Sequence, residues 1–232
     1  EDEHILLVDK RPGLAVHPHD GAEYGRTLID HIQSYLYQKK EWRPREENAF
    51  TPALCNRIDR NTCGIVIAAK TANALRILNQ KIKSRELDKR YLCVVHGKMP
   101  SNSELLEGYL VKDGDKNLVT VTRKPREGSK PIKTKYSVLA FKDNLSLLEV
   151  QLITGRTHQI RAHLAAIGHP LLGDGKYGVN KTDRKRGFVH QALCSYKLTF
   201  QFESDAGELN YLNGREFCIN SVWFAKELFN YT

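Results

Sequence analysis

An α+β fold, with a mixed but mainly antiparallel sheet flanked by helices, is what this 232-residue sequence predicts. Three observations carry the assignment. The first half alternates strand-type apolar runs with two amphipathic stretches of helical period, an order that permits a mixed sheet. The second half passes from one β-type segment to the next over turn dipeptides such as Asp113-Gly114 and Asp143-Asn144, and short turns join antiparallel neighbours. A hydrophobic content of 41% against 27% charged residues supports one domain with a substantial core, or two small ones.

In chain order, His4-Ile5-Leu6-Leu7-Val8-Asp9-Lys10 reads as a buried strand closed by the turn Arg11-Pro12-Gly13. A short extended piece follows. His17 and His19 sit two apart there, but Pro18 between them and the lack of a third ligand favour a loop edge over a metal pair. Residues 27–40 form a helix: Thr27 can cap it, and Leu28, Ile29, Ile32, Tyr35 and Leu36 make an apolar stripe. Polar, proline-broken residues 41–52 lead to a strand over 64–70 and a second helix over 71–84, with Ala74, Leu75, Leu78 and Ile82 facing inward. Strands follow at about 90–97, 105–111, 116–122, 132–141 and 145–153. Between them, residues 123–135 are basic, a pattern that fits either a guarded sheet edge or a phosphate contact. Thr157 can cap a helix to about residue 167, where Gly168 stops it. A glycine-punctuated loop over 168–178 and the cationic loop 181–186 come next. Strands near 191–202 and 216–220 and a terminal helix or turn at 222–229 complete the chain.

Formal net charge is +9, which points to a polyanionic partner rather than to a fold. No apolar run is long enough to span a bilayer, and no signal-peptide pattern is present. Five cysteines (Cys55, Cys63, Cys93, Cys194 and Cys218) lack C-x-x-C spacing, which suits a reducing compartment and argues against a disulfide framework or zinc site.

Two stretches carry chemistry. Asn56-Arg57-Ile58-Asp59-Arg60-Asn61-Thr62-Cys63-Gly64 places an acid between two arginines at the mouth of a strand, an arrangement suited to a nucleophile or base rather than a proton donor. By itself it also fits a surface ion-pair cluster. Thr154-Gly155-Arg156-Thr157-His158-Gln159-Ile160-Arg161-Ala162-His163 puts His158, Gln159 and Arg161 in the first turns of a helix beside a strand end. His158 and His163 are five apart and share no helix face, so local packing suits one of them better than metal ligation.

Together with the loop 168–178, the opening Lys10-Arg11-Pro12-Gly13-Leu14-Ala15-Val16-His17-Pro18 and the strand start Lys89-Arg90-Tyr91, these stretches resemble the RluA-type pseudouridine synthases, in the right order and over nearly the whole chain. The resemblance implies an isomerase that converts specific uridines in RNA to pseudouridine with no metal and no cofactor. It implies that Asp59 is the catalytic aspartate, that Arg161 pairs with it, that Tyr91 stacks on the target base, and that Arg57 helps displace the flipped nucleotide. These roles make physical sense: a stacked base must be extruded to be reached, an aromatic face holds it, and a closed apolar pocket, for which Ile160 and Leu152 are candidate walls, retains the detached uracil. Arg60, Arg156, His158, Lys181, Arg184, Lys185 and Arg186 are candidate RNA contacts.

Asn56, Ile58, Asn61 and Cys63 stand where the commonest family pattern has His, Leu, Asp and Ser; Asp59 and Arg57 are retained, so the departures blur the subgroup and target rather than the reaction. Residues 1–232 are expected to form the catalytic domain, with any N-terminal S4-type RNA-binding domain lying outside them. The expected partner is RNA, large-subunit ribosomal RNA first and transfer RNA second, acted on by a cytoplasmic monomer without membrane contact. A non-catalytic RNA-binding or chaperone protein on the same fold is the rival, and a nucleoside hydrolase a distant third.

Overall fold

The computed structural model describes residues 1–18, 25–46, 50–113 and 118–231. They fall into two compact units, Glu1–Asp88 with Leu198–Phe217, and Lys89–Lys197 with Cys218–Thr232. Each is built on antiparallel strands with helices packed beside them, the α+β class expected from the sequence.

In the first unit, β1 (Ile5–Lys10), β2 (Ala53–Leu54) and β3 (Cys63–Ala69) are joined through β3, which pairs antiparallel with both others. The run Val66-Ile67-Ala68-Ala69 is fully buried, which is why it has no polar alternation. Helix α1 (Leu28–Gln38) buries Leu28, Ile29, Ile32 and Leu36. Its first N–H groups, which no helical carbonyl can satisfy, reach back to the extended piece before it: Leu28 N to Ala15 O at 2.8 Å and Ile29 N to Val16 O at 3.2 Å. Tyr35, assigned to the apolar stripe, is instead 42% exposed, and its hydroxyl donates to Glu1 at 2.6 Å. Its phenol finds a polar partner at the rim, which an aliphatic side chain would not need.

Helix α2 (Ala72–Lys83) is capped by Thr71, whose Oγ1 accepts from Ala74 N at 3.1 Å. Its buried face is Ala74, Ile77, Leu78 and Lys81, turned from the expected one so that Leu75 and Ile82 are only half-buried. A lysine is tolerated there because its ammonium bonds Glu86 (2.7 Å), Ser204 O (2.5 Å) and Ser204 Oγ (2.7 Å) and lies 5.0 Å from the Phe202 ring centroid. A 3₁₀ helix at Gly207–Leu212, unforeseen in the sequence, buries Leu209 and Leu212.

In the second unit, β4 (Leu87–His96), β5 (Ser103–Asp113), β6 (Leu118–Thr122), β7 (Lys130–Lys142) and β8 (Leu145–Leu152) form an antiparallel array in the order β4-β8-β7-β5-β6. The register places Tyr91 opposite Val150 and Val150 opposite Tyr136, so these three side chains share one face. Helix α3 (Gln159–Ala166) covers that face, with Thr134 Oγ1 bonded to His163 Nδ1 at 2.9 Å and to Gln159 Nε2 at 3.0 Å. Leu110, Val119, Ile132 and Ala162 form an adjoining core cluster.

The helix begins one residue later than the Thr157 cap predicts. His158 occupies the capping position in left-handed backbone, φ 53°, with no side-chain cap. Residues 181–186, read as a loop, contain the short helix α4 (Lys181–Lys185). Strands β9 (Leu193–Phe200) and β10 (Glu216–Cys218) pair with each other, and α5 (Trp223–Phe229) is helical.

Candidate active site

Asp59 lies in the first unit, in the irregular segment between β2 and β3, and is half-buried, with Ile58 buried beside it and Arg57 and Arg60 exposed. Asn56 fixes the start of the segment: its side-chain carbonyl accepts the N–H of Ile67 at 2.7 Å, so the residue that replaces the family's histidine serves the backbone. The Asp59 carbonyl accepts from Thr62 N at 3.1 Å, closing a turn over Arg60 and Asn61.

The turn is held from below by Lys10, a residue to which the sequence assigned no role. Its ammonium is 1% exposed and donates to the carbonyls of Arg60 (2.8 Å), Leu14 (2.9 Å) and Arg11 (3.0 Å), using all three of its protons. Gly13 N donates to Arg60 O at 3.0 Å, and left-handed backbone at φ 90° explains the glycine. Burial draws the Lys10 pKa down to about 8, against the opposing pull of Cys63 and Asp59. Nothing in the local sequence distinguishes a buried lysine in a K-R-P-G turn from an exposed one; only the return of the Asp59 segment over it does. His17, on the same opening piece, has its pKa lowered first by burial and then by the positive charge of Arg57. His19 lies outside the described residues.

Tyr91 and Arg161 belong to the second unit. Tyr91 is 6% exposed, on the sheet face that α3 covers. Arg161 is gripped by Asp174 of the glycine-punctuated loop: Nε donates to Oδ2 at 2.7 Å and Nη2 to Oδ1 at 2.9 Å. Asp174 is 1% exposed and also accepts from Lys176 N (2.9 Å) and Tyr177 N (3.2 Å). Burial alone raises its pKa, but the Arg161 guanidinium and these two N–H groups outweigh that and hold the carboxyl below its ordinary value. The guanidinium carbon stands 5.2 Å from the Tyr177 ring centroid. Tyr177 Oη in turn accepts from Val119 N at 3.0 Å and shares a 2.8 Å hydrogen bond with His158 Nδ1.

His158 therefore braces Tyr177 and is half-buried, and Ile160 is buried on α3, while Leu152 is half-buried at the end of β8 opposite Thr134. His163 is the packing histidine: burial pushes its pKa down to about 4. Asp174 and Tyr177 were missed by the sequence reading. Their signal is their place in the Gly-Asp-Gly-Lys-Tyr-Gly run, part of the loop that carries the family resemblance.

Arg156 is exposed on the turn after β8, and Lys181, Arg184, Lys185 and Arg186 are exposed on α4 and its end. Asp183 is the buried exception. Its Oδ2 accepts from Gly173 N at 2.9 Å and meets His96 Nε2 at 3.0 Å, so a single acid anchors a helix that otherwise displays cations. Among the described residues no three His, Cys, Asp or Glu side chains converge as a metal site, and no helix is long and apolar enough to cross a membrane.

The family model for RNA pseudouridylate synthases matches residues 4–166. The chain belongs to the RNA pseudouridylate synthase family. It is 39% identical over 206 residues to an uncharacterized RNA pseudouridine synthase of Mycoplasma genitalium, covering 86% of this chain and 62% of that protein. It is 33% identical over 205 residues to the ribosomal large subunit pseudouridine synthase C of Escherichia coli, covering 84% of this chain and 60% of the relative. The chain thus spans about three fifths of the length of the curated relatives it matches. Among solved structures, human RNA pseudouridylate synthase domain containing 1 is similar with a TM-score of 0.73 at 20% identity, over 97% of this chain and 83% of that one. Human RNA pseudouridylate synthase domain containing 4 gives 0.66 at 23%, over 85% and 81%. At those identities the likeness bears on the fold, which agrees with the α+β assignment.

Proposed function

We propose that this chain isomerises uridine to pseudouridine in RNA, with Asp59 as the catalytic residue, no cofactor, and large-subunit ribosomal RNA as the substrate. The reaction breaks the bond between ribose C1′ and uracil N1 and forms one between C1′ and C5. C5 gives up its proton and N1 gains one, so the change is an isomerisation without oxidant or energy source. Asp59 attacks the ribose or assists release of the uracil, and Tyr91 offers the detached base an aromatic face while it turns. Arg57 fills the space left by the extruded nucleotide, Arg161, held by Asp174, is the catalytic arginine, and Ile160 and Leu152 wall the base from water. Arg60, Arg156, His158, Lys181, Arg184, Lys185 and Arg186 contact the RNA. The protein acts as a cytoplasmic monomer.

Family membership supports the reaction class, and similarity to a ribosomal large subunit pseudouridine synthase supports the substrate. The observation that carries the assignment of Asp59 is its mounting: a half-buried carboxylate on a turn whose backbone is fixed by a buried ammonium. Preorganised placement of this kind is what a nucleophile requires. The test is to map pseudouridine in ribosomal RNA from cells lacking the protein, and again after wild-type or Asp59→Asn is returned. Restoration by wild-type alone is expected; restoration by Asp59→Asn overturns the assignment and favours a non-catalytic RNA chaperone.

A further inference from the structure

Residues 123–135 carry Arg123, Lys124, Arg126, Lys130, Lys133 and Lys135, and the sequence leaves them between a guarded sheet edge and a phosphate contact. For Lys133 and Lys135 the topology removes the first option. Strand β7 pairs with β5 on one side and β8 on the other, and lysines protect a sheet from edge-to-edge addition only on a strand with an unpaired side. Along β7 the buried Ile132, Thr134 and Tyr136 alternate with exposed Lys133 and Lys135. Both cations therefore stand on the face opposite α3, about 7 Å apart along the strand. The same row continues through Gln151 to Arg90.

Arg156 is tied to this strand. Lys133 N donates to Thr154 Oγ1 (2.9 Å), Thr154 N donates to Lys133 O (3.3 Å), and Gln159 bonds both Lys133 O (3.0 Å) and Arg156 N (3.1 Å). Charge is divided unevenly as well. The second unit holds 21 Lys and Arg against 10 Asp and Glu, a formal +11; the first holds 15 against 17, a formal −2. All of the net positive charge lies on the unit that carries this face.

We propose that Lys133 and Lys135, with Arg156 on the adjoining turn, form a contact for the phosphate backbone of RNA on the exposed stretch of β7. The proposal rests on the reading of the chain as an RNA-modifying protein and adds where the backbone is held. Glu107 opposes it. Its carboxylate bonds Lys133 Nζ at 2.5 Å with both side chains half-exposed, and an ion pair in that setting yields readily to a phosphate.

Binding of the full chain to poly(U) across a salt series tests the contact without reference to turnover. Removing one phosphate-binding cation from a complex with single-stranded RNA lowers the slope of log K against log salt by about 0.7, equivalent to about fivefold at 0.1 M salt relative to 1 M. Lys133→Gln/Lys135→Gln is expected to lower the slope by about 1.4 and weaken binding about 25-fold at 0.1 M salt. Lys133→Arg/Lys135→Arg should keep the wild-type slope, which separates removal of charge from misfolding, and Glu107→Gln should tighten binding. An unchanged slope in the glutamine double variant, or failure of the arginine pair to keep it, overturns the proposal; so does unchanged affinity in Glu107→Gln. An inactive chain with the expected fall in slope would sink the isomerase reading alone, and an active chain with an unchanged slope would sink this phosphate site alone.

Discussion

Replacing Asp174 by Asn tests whether the Arg161 guanidinium is fixed by the acid from the glycine-punctuated loop. The amide keeps the size of the side chain and the Oδ1 acceptor used by Nη2, Lys176 N and Tyr177 N. Where Oδ2 stood it places an NH₂ facing Arg161 Nε, 2.7 Å from the present oxygen. A short charge-assisted hydrogen bond becomes donor against donor, and a guanidinium only 7% exposed is deprived of this counter-charge. Breaking one side of a buried pair costs about 3–5 kcal/mol, a large part of a total folding stability of about 5–15 kcal/mol. With a urea m-value of roughly 2 kcal/mol/M, the midpoint should fall by about 2 M at unchanged m. The double variant Arg161→Met/Asp174→Asn should be less destabilised than Asp174→Asn, because the amide keeps the acceptor for Lys176 N and Tyr177 N while no desolvated guanidinium is left to satisfy. A destabilisation below about 1 kcal/mol for Asp174→Asn, or a double variant worse than the single, would refute the reasoning.

Two further outcomes follow from buried bases. Lys10→Met removes the donor shared by three carbonyls and should cost about 3 kcal/mol; it should also raise the hydrogen-exchange rate of Thr62 N–H, which closes the Asp59 turn. Wild-type protection at that amide would show that the lysine does not hold the turn. His163 has a folded pKa of about 4 and an unfolded one near 6.5. Below pH 6.5 the unfolded chain therefore takes up a proton that the folded chain does not, and stability falls from pH 6.5 to 4 by up to about 3 kcal/mol. Chemical denaturation at pH 7.5 and 4.5 should show a smaller acid effect in His163→Gln than in wild-type, and equal effects would remove the histidine from that account.

Much of the fold was legible because its elements carry strong local signals. The unbroken run at β3 and the apolar stripe of α1 declare themselves within a dozen residues. Errors cluster where tertiary partners override local preference. Tyr35 is apolar by type but finds Glu1 across the fold, and Lys81 is charged by type but lies buried because Glu86 and Ser204 receive it. The helix after β8 starts at Gln159 because Thr154 and Arg156 N use the Gln159 side chain, which leaves Thr157 outside the helix. The cations at 181–186 read as a loop; the buried Asp183 that anchors them as a helix is one acid among many until His96 and Gly173 are brought to it.

Residue types in order were enough to assign the family and to raise the expectations of a reactive acid at position 59 and of a polyanionic partner, since these depend on short motifs and net charge. What distinguishes Lys10, Asp174 and the inner-strand lysines from dozens of similar residues is who stands opposite them. Desolvation and strand pairing are properties of distant segments meeting, so they enter only when the chain has closed on itself.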